Sequence, residues 1–390
     1  MISVNVIVIN SGSSTLKFSL IETSTGKKIA SGLFDRIGLD ESYYKINNFY
    51  KNVLIKNHEE AINILFNELL NLGIVSSLSD IEAVGHRVVQ GMDIFKTSTI
   101  ITDDVIKELE KIREFDPLHN PANVLGIKLF KKLGVPMVAV FDTTFHQSIS
   151  ENAYLYPVPY EWYEKYGVRK YGAHGISHEF IAKQVQMIYH RSDLRIISCH
   201  IGSGASITAI KNGKSVDTSM GFTPLSGVMM STRSGDIDPS IIPFIMEKEH
   251  LNINEVMNDL NKKSGLLGLS GISSDMRDIL KASLDGNKRA TLALDKYIRR
   301  ITDYIASYYV LLGGIDVLVF TAGVGENSPE IRRLVCEKLE CLGALLDDKV
   351  NENSLKFTKI SSKKSKFDIY DIDTDEELMI ALETEKMINF

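Results

Sequence analysis

Five polar segments carry more charged and hydrogen-bonding side chains than packing alone requires. They are Gly85-His86-Arg87, Asp116-Pro117-Leu118-His119-Asn120, Asp142-Thr143-Thr144-Phe145-His146, Tyr171-Gly172-Ala173-His174-Gly175 and Thr232-Arg233-Ser234-Gly235-Asp236-Ile237-Asp238-Pro239. Arginine pairs with carboxylate and phosphoryl oxygens, carboxylates hold divalent cations, and histidine can donate a hydrogen bond to developing charge. Taken together these residues could act on anions, although a cap, an ion pair or a satisfied core histidine is the better interpretation of each one singly.

The opening stretch predicts a hairpin with a hydroxyl-rich turn. A β-branched run, Val4-Asn5-Val6-Ile7-Val8-Ile9, is followed by Asn10-Ser11-Gly12-Ser13-Ser14-Thr15 and a second apolar run from Leu16. Glycine allows the backbone to approach a ligand closely, and neighbouring amides, hydroxyls and Lys17 can bind phosphate oxygens. The turn is a candidate phosphate-binding hairpin, with a plain hairpin turn as the alternative.

The elements that must position these segments form two similar series. In the first half we predict strands near 2–9, 15–21, 27–34, 81–89 and 135–141, and helices 59–72 and 121–133, the second capped by Asn120. After helix 178–190 the opening pattern returns, as strand 195–201, the turn Gly202-Ser203-Gly204, strand 205–210 and a tight turn at Asn212-Gly213. Further helices are predicted near 239–249, 254–264, 276–284, 288–312, 329–341 and 375–388, with a strand at 315–320.

Composition excludes several classes of protein. A chain of 390 residues has room for about two domains, and a net charge of −6 argues against nucleic-acid binding. The three cysteines form no CxxC pair, so we expect a reducing cytosol and neither a disulfide framework nor a zinc site. The most apolar window is interrupted by Gly313, Gly314 and Asp316, and no signal peptide is evident, so neither export nor membrane insertion is expected.

Three local matches to known motifs fail. Gly213-Lys214-Ser215 resembles the end of a phosphate-binding loop, but that motif needs glycine where Thr208 stands. Gly202-Ser203-Gly204 lacks the third glycine of a dinucleotide-binding fingerprint. His174 and His178 are spaced like metal ligands, but no Glu or Cys completes a zinc site.

Nine longer segments resemble the acetate kinase family in order and spacing. They are VIVINSGSSTLKFSL, GHRVVQG, FDPLHNPAN, FDTTFHQ, HGISH, MMSTRSGDIDP, SSDMRDI, FTAGVGENSPEIR and TDEELMIA. The resemblance implies an α/β fold of two duplicated actin-like (ribonuclease H-like) domains with a nucleotide cleft between them. It implies an acyl- and phosphate-binding domain, 1–150 completed by helix 375–390, and a nucleotide-binding domain, 151–374, that also mediates dimerisation.

The resemblance also implies a role for individual residues. Three sets of residues would bind the nucleotide. The transferring phosphate would contact Asn10, Ser13, Thr15 and Lys17, and the other phosphates would contact His200, Ile201, Gly202, Ser203 and Gly204. Adenosine would be surrounded by Asp275, Met276, Arg277, Gly323, Val324, Gly325, Glu326 and Asn327. The catalytic residues would be Arg87, Asp142, His174 and Arg233, and the acyl group would contact Arg87, Val89, Leu118, His119 and Pro224. Mg²⁺, with Mn²⁺ as a substitute, would be positioned by Asn10, Asp142 and Glu376.

The implied activity is reversible, direct in-line transfer of the γ-phosphoryl group of ATP to acetate, giving acetyl phosphate and ADP. Acetate is already ionised at pH 7, so no general base is needed, and the obstacle is repulsion between anions. A propionate kinase or a broad short-chain acyl kinase of the same family is the alternative. A sugar kinase would need a carboxylate base, and an actin-like nucleotide switch would need no acceptor site.

Three residues depart from the family pattern. Ala173 stands where phenylalanine is usual, which would enlarge the acyl pocket and loosen the choice of acetate over propionate. Ser203 replaces a usual asparagine and Ser231 a usual glycine. The resemblance further implies a cytoplasmic homodimer with helix 288–312 as the candidate interface, although an amphipathic helix more often packs internally. No nucleic-acid or membrane partner is expected.

Overall fold

The computed structural model describes residues 4–112 and 120–389. The chain divides into two compact units, which are Met1–Phe145 with Asp375–Phe390 (unit 1) and His146–Thr374 (unit 2). Each unit contains one mixed β-sheet. In the described ranges, none of the helices is both long and apolar enough to cross a bilayer.

Unit 1 is built on a sheet of eight strands among the described residues. They are β1 (Asn5–Ser11), β2 (Leu16–Glu22), β3 (Lys27–Asp35), β4 (Tyr43–Ile46), β5 (Phe49–Asn52), β6 (Ala83–Val88), β7 (Thr99–Ile100) and β8 (Met137–Phe141). Their order is β5-β4-β3-β2-β1-β6-β8-β7. The residues described between 4 and 145 form three α-helices, namely α1 (His58–Asn71), α2 (Asp103–Lys111) and α3 (Asn120–Phe130).

Strand β1 lies inside the sheet because its β-branched run is buried from Val6 to Ile9. The predicted opening hairpin is confirmed, since β1 pairs antiparallel with β2. The prediction that Asn120 caps α3 is wrong. Its side chain instead accepts from Gln90 N–H at 3.3 Å and donates to Gln90 C=O at 3.2 Å, because that buried backbone needs partners.

Unit 2 is built on a sheet of six strands within the described part of the chain. They are β9 (Arg195–Ile201), β10 (Ala205–Lys211), β11 (Lys214–Thr218), β12 (Val317–Thr321), β13 (Thr358–Lys359) and β14 (Asp368–Asp371), in the order β11-β10-β9-β12-β14-β13. The helices are α4 (Glu151–Tyr154), α5 (Glu161–Tyr166), α6 (Gly175–Tyr189), α7 (Ile241–Glu249), α8 (Ile253–Lys262), α9 (Gly265–Ser270), α10 (Met276–Leu284), α11 (Lys288–Leu312), α12 (Ala322–Asn327), α13 (Pro329–Lys338) and α14 (Asp348–Glu352).

The two sheets repeat one topology. The strand order β3-β2-β1-β6-β8 of unit 1 corresponds to β11-β10-β9-β12-β14 of unit 2. In both, an antiparallel hairpin is followed by two parallel strands. The predicted return of the opening pattern is therefore confirmed, and the turn Asn212-Gly213 has positive φ at both residues, as a tight hairpin turn requires.

The last helix, α15 (Glu376–Ile388), returns to unit 1 and packs on β1, β6 and β8. Gly85 of β6 allows this close approach, because a Cβ at that position would lie 2.5 Å from Thr384 Oγ1. Asp375 caps the helix by accepting from Leu378 N–H at 2.9 Å. This packing places Glu376 at the first turn of the helix, beside the strands that carry the predicted site residues of unit 1.

Candidate functional site

The turn between β1 and β2 gathers the polar residues predicted for the first hairpin. Asn10 lies directly opposite Lys17 in the antiparallel pair, and Gly12 N–H donates to Thr15 C=O at 2.8 Å. A Cβ at Gly12 would lie 2.5 Å from Thr15 Oγ1, so any side chain there would force Thr15 to shift. Ser13 is exposed at the tip. One end of one hairpin therefore presents hydroxyl groups, a lysine and a closely approachable backbone.

Arg87 of β6 and Asp142, which follows β8, form a bidentate ion pair. Arg87 Nε and Nη2 donate to the two carboxylate oxygens of Asp142 at 3.1 and 2.7 Å. The side chain of Asp142 is 1% exposed and that of Arg87 is 21% exposed. Since a buried carboxylate needs such a partner, each residue fixes the orientation of the other. Val89 is buried just beyond β6, whereas Leu118 and His119 lie outside the described residues.

Glu376 is a second carboxylate near this pair. Its Oε1 is shielded from solvent and has no hydrogen-bond partner among the described residues. Burial raises the pKa of Glu376, the positive charge of Arg87 lowers it and the negative charge of Asp142 raises it. An orphaned carboxylate oxygen close to another carboxylate fits a divalent cation that prefers oxygen ligands.

No cluster of three or more His, Cys, Asp or Glu suited to a metal occurs in the described ranges. This finding is compatible with Mg²⁺, because that ion usually keeps several waters and takes only one or two carboxylates together with substrate phosphates. The residues present therefore fit Mg²⁺ and do not form a closed protein cage for a metal.

The turn between β9 and β10 is the unit 2 counterpart of the first hairpin. Gly202 N–H donates to Gly204 C=O at 3.0 Å, and Ser203 is exposed at the tip. A Cβ built on Gly204 would lie 3.4 Å from Nε2 of His174 and 3.6 Å from Nη1 of Arg233. Two side chains predicted from separate segments therefore converge on one turn.

A cavity of about 880 Å³ opens beside this turn within unit 2. Its lining combines three predicted segments with Arg233, namely Gly202, Ser203 and Gly204, Asp275, Met276 and Arg277, and Gly323, Val324 and Asn327. Further lining residues were not predicted to bind, namely Ser231, Thr232, Ser274, Leu280, Ser328 and Pro329. Most of these flank predicted residues, so widening each motif by one or two positions would have included them. The volume suits a nucleotide-sized ligand.

Four residues of unit 2 that were predicted at the nucleotide do not line this cavity, namely His200, Ile201, Gly325 and Glu326. Ile201 and Gly325 are buried in β9 and α12. Glu326 Oε1 accepts from the backbone N–H groups of Ala322 and Thr374 at 2.7 and 2.9 Å, and burial raises the pKa of this carboxyl. Ala322 has a positive φ of 65°, which is strained for alanine, so Glu326 helps to hold the start of α12 in place.

Asp275 has its carboxylate engaged at the start of α10. It accepts from Arg277 N–H at 2.9 Å, and the Arg277 guanidinium donates to both of its oxygens. These hydrogen bonds lower the pKa of Asp275 to about 2. The pair stands at the edge of the cavity as a charged and largely solvent-facing group.

Arg332 anchors the segment Gly323–Asn327, a role that sequence analysis missed. The side chain is fully buried, and its Nη1 donates to two carbonyl groups of the segment at 2.8 and 2.7 Å. Nε and Nη2 donate to Asn351 at 2.8 and 2.9 Å. Nη1 also lies 3.1 Å from Asp371 Oδ2, and burial raises the pKa of Asp371 to about 6 although Arg332 opposes the shift.

His174 immediately precedes α6 and adopts the left-handed conformation, with a φ of 57°. The predicted start of this helix near 178 is wrong, because the left-handed residue closes the turn and helix geometry begins at Gly175. The ring of His174 stacks on His200 with centroids 4.1 Å apart.

Arg233 is half-buried, and its loop is tied to the glycine turn. Ser231 N–H donates to Ser203 C=O at 3.2 Å, and Arg233 Nη1 donates to Pro224 C=O at 3.4 Å. The structure thus groups His174, Pro224, Arg233 and the turn after β9 in unit 2, and it groups Arg87, Asp142 and Glu376 in unit 1.

Comparison with known proteins points to one family. The Acetokinase family model matches residues 5–382. An acetate kinase of Thermoanaerobacterium thermosaccharolyticum is 50% identical over 394 residues, covering 98% of each chain. A solved Porphyromonas gingivalis acetate kinase has a TM-score of 0.93 at 43% identity, covering 99% of this chain and 100% of that one. A solved Francisella tularensis propionate kinase has a TM-score of 0.94 at 39% identity, covering 98% and 100%. The predicted α/β fold class is confirmed.

Proposed function

The chain belongs to the acetokinase family, and from this membership we propose that it is an acetate kinase that reversibly transfers the γ-phosphoryl group of ATP to acetate. The products are acetyl phosphate and ADP. One observation supports the proposal above all, which is the convergence of His174 and Arg233 on Gly204 at the edge of the 880 Å³ cavity. A phosphoryl donor bound in that cavity would present its terminal phosphate to a cation and a hydrogen-bond donor.

The nucleotide is assigned to three sets of residues. We assign the transferring phosphate to Asn10, Ser13, Thr15 and Lys17, the other phosphates to His200, Ile201, Gly202, Ser203 and Gly204, and adenosine to Asp275, Met276, Arg277, Gly323, Val324, Gly325, Glu326 and Asn327. The cavity lining supports the last two sets in part. Ile201, Gly325 and Glu326 would act through the backbone or by shaping the segment, since their side chains or positions are engaged in the fold.

The acyl substrate is assigned to cationic and apolar residues. Arg87 and Arg233 would pair with the carboxylate and the phosphoryl oxygens, because guanidinium groups match both at fixed geometry. Val89, Leu118, His119 and Pro224 would contact the acyl group. Asp142 holds Arg87 through two hydrogen bonds, so the orientation of the guanidinium is fixed by the protein itself.

Asp142 and Glu376 would hold Mg²⁺ with Asn10, and Mn²⁺ would substitute. When bound, the ion neutralises charge on the nucleotide phosphates. The carboxylate of acetate needs no general base, so the residues of this chain have to offset repulsion between anions and align them. His174 donates a hydrogen bond to an equatorial oxygen of the phosphoryl group in flight, which stabilises developing charge without abstracting a proton. Transfer is direct and in line.

Trapping with hydroxylamine tests the proposal. The protein is incubated with ATP, MgCl₂ and acetate, propionate or butyrate, and acyl hydroxamate is measured. Acetyl hydroxamate that depends on ATP is the expected product. Its absence with every acid, with ATP still bound, would overturn the enzyme assignment in favour of an actin-like nucleotide switch.

Propionate kinase activity is the second candidate, because of Ala173. A residue smaller than the phenylalanine usual in the family would leave room for an added methylene. Ala173 is 3% exposed and its carbonyl is 3.0 Å from His146 Nε2, so its backbone is fixed. A higher kcat/KM for propionate than for acetate in the trapping assay would move the assignment to this candidate.

The protein is proposed to act as a cytoplasmic homodimer. All three cysteines are free and Cys341 is exposed, as suits a reducing compartment. Helix α11 buries one face in unit 2 and leaves Leu292, Val310 and Leu311 exposed. Light scattering after size exclusion should give twice the mass of the chain, and a monomer would overturn the proposed assembly.

A further inference from the structure

Four residues of unit 2 form a continuous hydrogen-bonded chain that ends at His174. Ser198 Oγ lies 2.9 Å from His178 Nδ1, His178 Nε2 lies 2.8 Å from Ser206 Oγ, and Ser206 Oγ lies 2.9 Å from His174 Nδ1. Ser198, His178 and Ser206 are all 0% exposed. Solvent therefore cannot exchange protons freely with these three groups of the hydrogen-bonded chain.

The number of hydrogens fixes the direction of the three bonds. A neutral imidazole carries one N–H and a serine carries one O–H. Within the described residues, the His178 ring is the only hydrogen-bond partner of Ser198 Oγ. If His178 Nδ1 donated to Ser198, the hydroxyl proton of that serine would be buried without an acceptor, which is the costly arrangement.

The reverse direction gives each hydrogen within the three bonds an acceptor. Ser198 O–H donates to His178 Nδ1, so the His178 proton is on Nε2 and is donated to Ser206 Oγ. Ser206 O–H is then donated to His174 Nδ1, which leaves the proton of His174 on Nε2. His178 remains neutral in this arrangement, since burial and the neighbouring rings of His146 and His200 hold its pKa well below the ordinary value.

We propose that His178 is a positioning residue which, through Ser206, holds His174 in the tautomer that carries its proton on Nε2. Nε2 lies on the edge of the ring that faces the turn, because Nε2 and Cε1 of His174 would each lie 3.4 Å from a Cβ built on Gly204. The opposite tautomer would point a lone pair at an anionic phosphoryl group and repel it. The inference rests on the proposed function, because the donor role of His174 does.

Stacking adds a second constraint on the same ring. The His200 ring lies 4.1 Å from the His174 ring at an interplanar angle of 25°, and His200 Nδ1 is bonded to Ser177 Oγ at 2.8 Å. The stack fixes the ring plane of His174, while Ser206 fixes which edge faces Gly204. The ring plane and the tautomer of His174 are thus set by separate contacts.

The direct test is ¹⁵N NMR of the full chain labelled at histidine, at a pH where His174 is neutral. The ring nitrogens of His174 are assigned by comparison with His174→Gln. The expected result is a protonated Nε2 and an unprotonated Nδ1 in the wild-type protein, with the same pattern for His178. A proton on Nδ1 of His174 in the wild-type protein would overturn the inference.

A set of serine variants separates positioning from general stability. Ser206→Ala should give a mixture of His174 tautomers and reduce kcat by about 10–100-fold with KM for ATP little changed. Ser206→Thr keeps the hydroxyl and should restore most of kcat. Ser215→Ala is the matched control. Ser215 is also buried, and its Oγ makes a 2.9 Å hydrogen bond to His146, a histidine that is not part of the hydrogen-bonded chain ending at His174.

Different results would overturn the positioning role of His178 and the proposed acetate kinase activity. Full kcat in Ser206→Ala with an unchanged His174 spectrum would overturn the positioning role, as would an equal loss of kcat in Ser215→Ala. Absence of acyl phosphate from the wild-type protein would overturn the proposed function, and the tautomer of His174 would still decide whether the hydrogen-bonded chain is directed as described.

Discussion

Replacing Arg332 with methionine should both destabilise unit 2 and weaken ATP binding. The substitution keeps an unbranched side chain of comparable length but removes all five donors. It leaves the Asp371 carboxylate, 2% exposed, without its cation, and two carbonyl groups of the segment Gly323–Asn327 without their donor. That segment contributes to the lining of the 880 Å³ cavity.

The size of the stability loss follows from the burial of the ion pair between Arg332 and Asp371. Removing one partner of a buried ion pair typically costs about 3–5 kcal/mol, because the other charge is left uncompensated. For a unit of this length each kcal/mol lowers Tm by roughly 2–4 °C, so the expected loss is about 6–20 °C. KM for ATP should rise by roughly tenfold or more with a smaller change in kcat, since the lost interaction shapes nucleoside binding and not the reacting atoms.

The loss should also depend on pH, with a sign set by Asp371. Burial raises the pKa of Asp371 to about 6 in the folded chain, with Arg332 opposing the shift. At pH 5 this carboxyl is mostly protonated with or without the arginine, so the variant loses only hydrogen bonds. Above pH 6 the wild-type carboxyl ionises beside a cation, whereas ionisation in the variant would leave a buried charge without a partner. The difference in stability between the two proteins should therefore grow from pH 5 to pH 8.

Thermal unfolding by circular dichroism and steady-state kinetics would measure both effects. Arg333→Met is the matched control, because Arg333 is on the same helix but its ion pairs with Glu330 and Glu337 are exposed and contribute little. The double variant Arg332→Met with Asp371→Leu should recover stability, since no buried charge remains, while KM for ATP stays high. A single variant that melts within about 2 °C of Arg333→Met and binds ATP normally would refute the reasoning.

Three further outcomes are expected. Arg233→Ala should lower kcat by roughly 10²–10³-fold with folding retained, measured by acyl hydroxamate formation, and near-normal turnover would remove its assigned role. Glu376→Gln should raise the Mg²⁺ concentration needed for half-maximal rate. Because burial raises the pKa of Glu376, the wild-type protein should also need more Mg²⁺ as the pH falls. A Mg²⁺ requirement that changes in neither test would contradict the metal assignment. Ala173→Phe should lower kcat/KM for propionate relative to acetate by about 10–200-fold, and unchanged selectivity would show that position 173 does not contact the acyl chain.

Sequence periodicity predicted the elements that have strong periodicity and clear ends. The helices at 276–284 and 288–312 have the predicted bounds, and both Gly/Ser turns follow the predicted strands. Strand β14 was missed because it has only four residues with an aspartate at each end, and helix α12 because two of its six residues are glycine. Their structure depends on tertiary packing and not on local preference.

The sequence yields candidates for the residues that carry the chemistry, but it does not reveal the residues that hold those candidates in place. Arg332 and Arg333 are adjacent arginines on α13, yet one is fully buried and the other is partly exposed. Nothing in the residue types distinguishes them. The hydrogen-bonded chain through Ser206 likewise joins a helix to two strands. It depends on the register of β9 and β10, which places Ser206 opposite His200 and therefore on the same face of the sheet as Ser198, two residues away.

In the proposed reaction, a carboxylate oxygen of the acid attacks the γ-phosphorus of ATP. The protein is incubated with ATP, MgCl₂ and acetate labelled with ¹⁸O in both carboxylate positions, and the product is followed by ³¹P NMR. The expected product is acetyl phosphate whose ³¹P signal carries the isotope shift of one ¹⁸O bonded to phosphorus, together with unlabelled ADP. Acetyl phosphate without that shift, or label-independent release of inorganic phosphate alone, would contradict the proposed reaction.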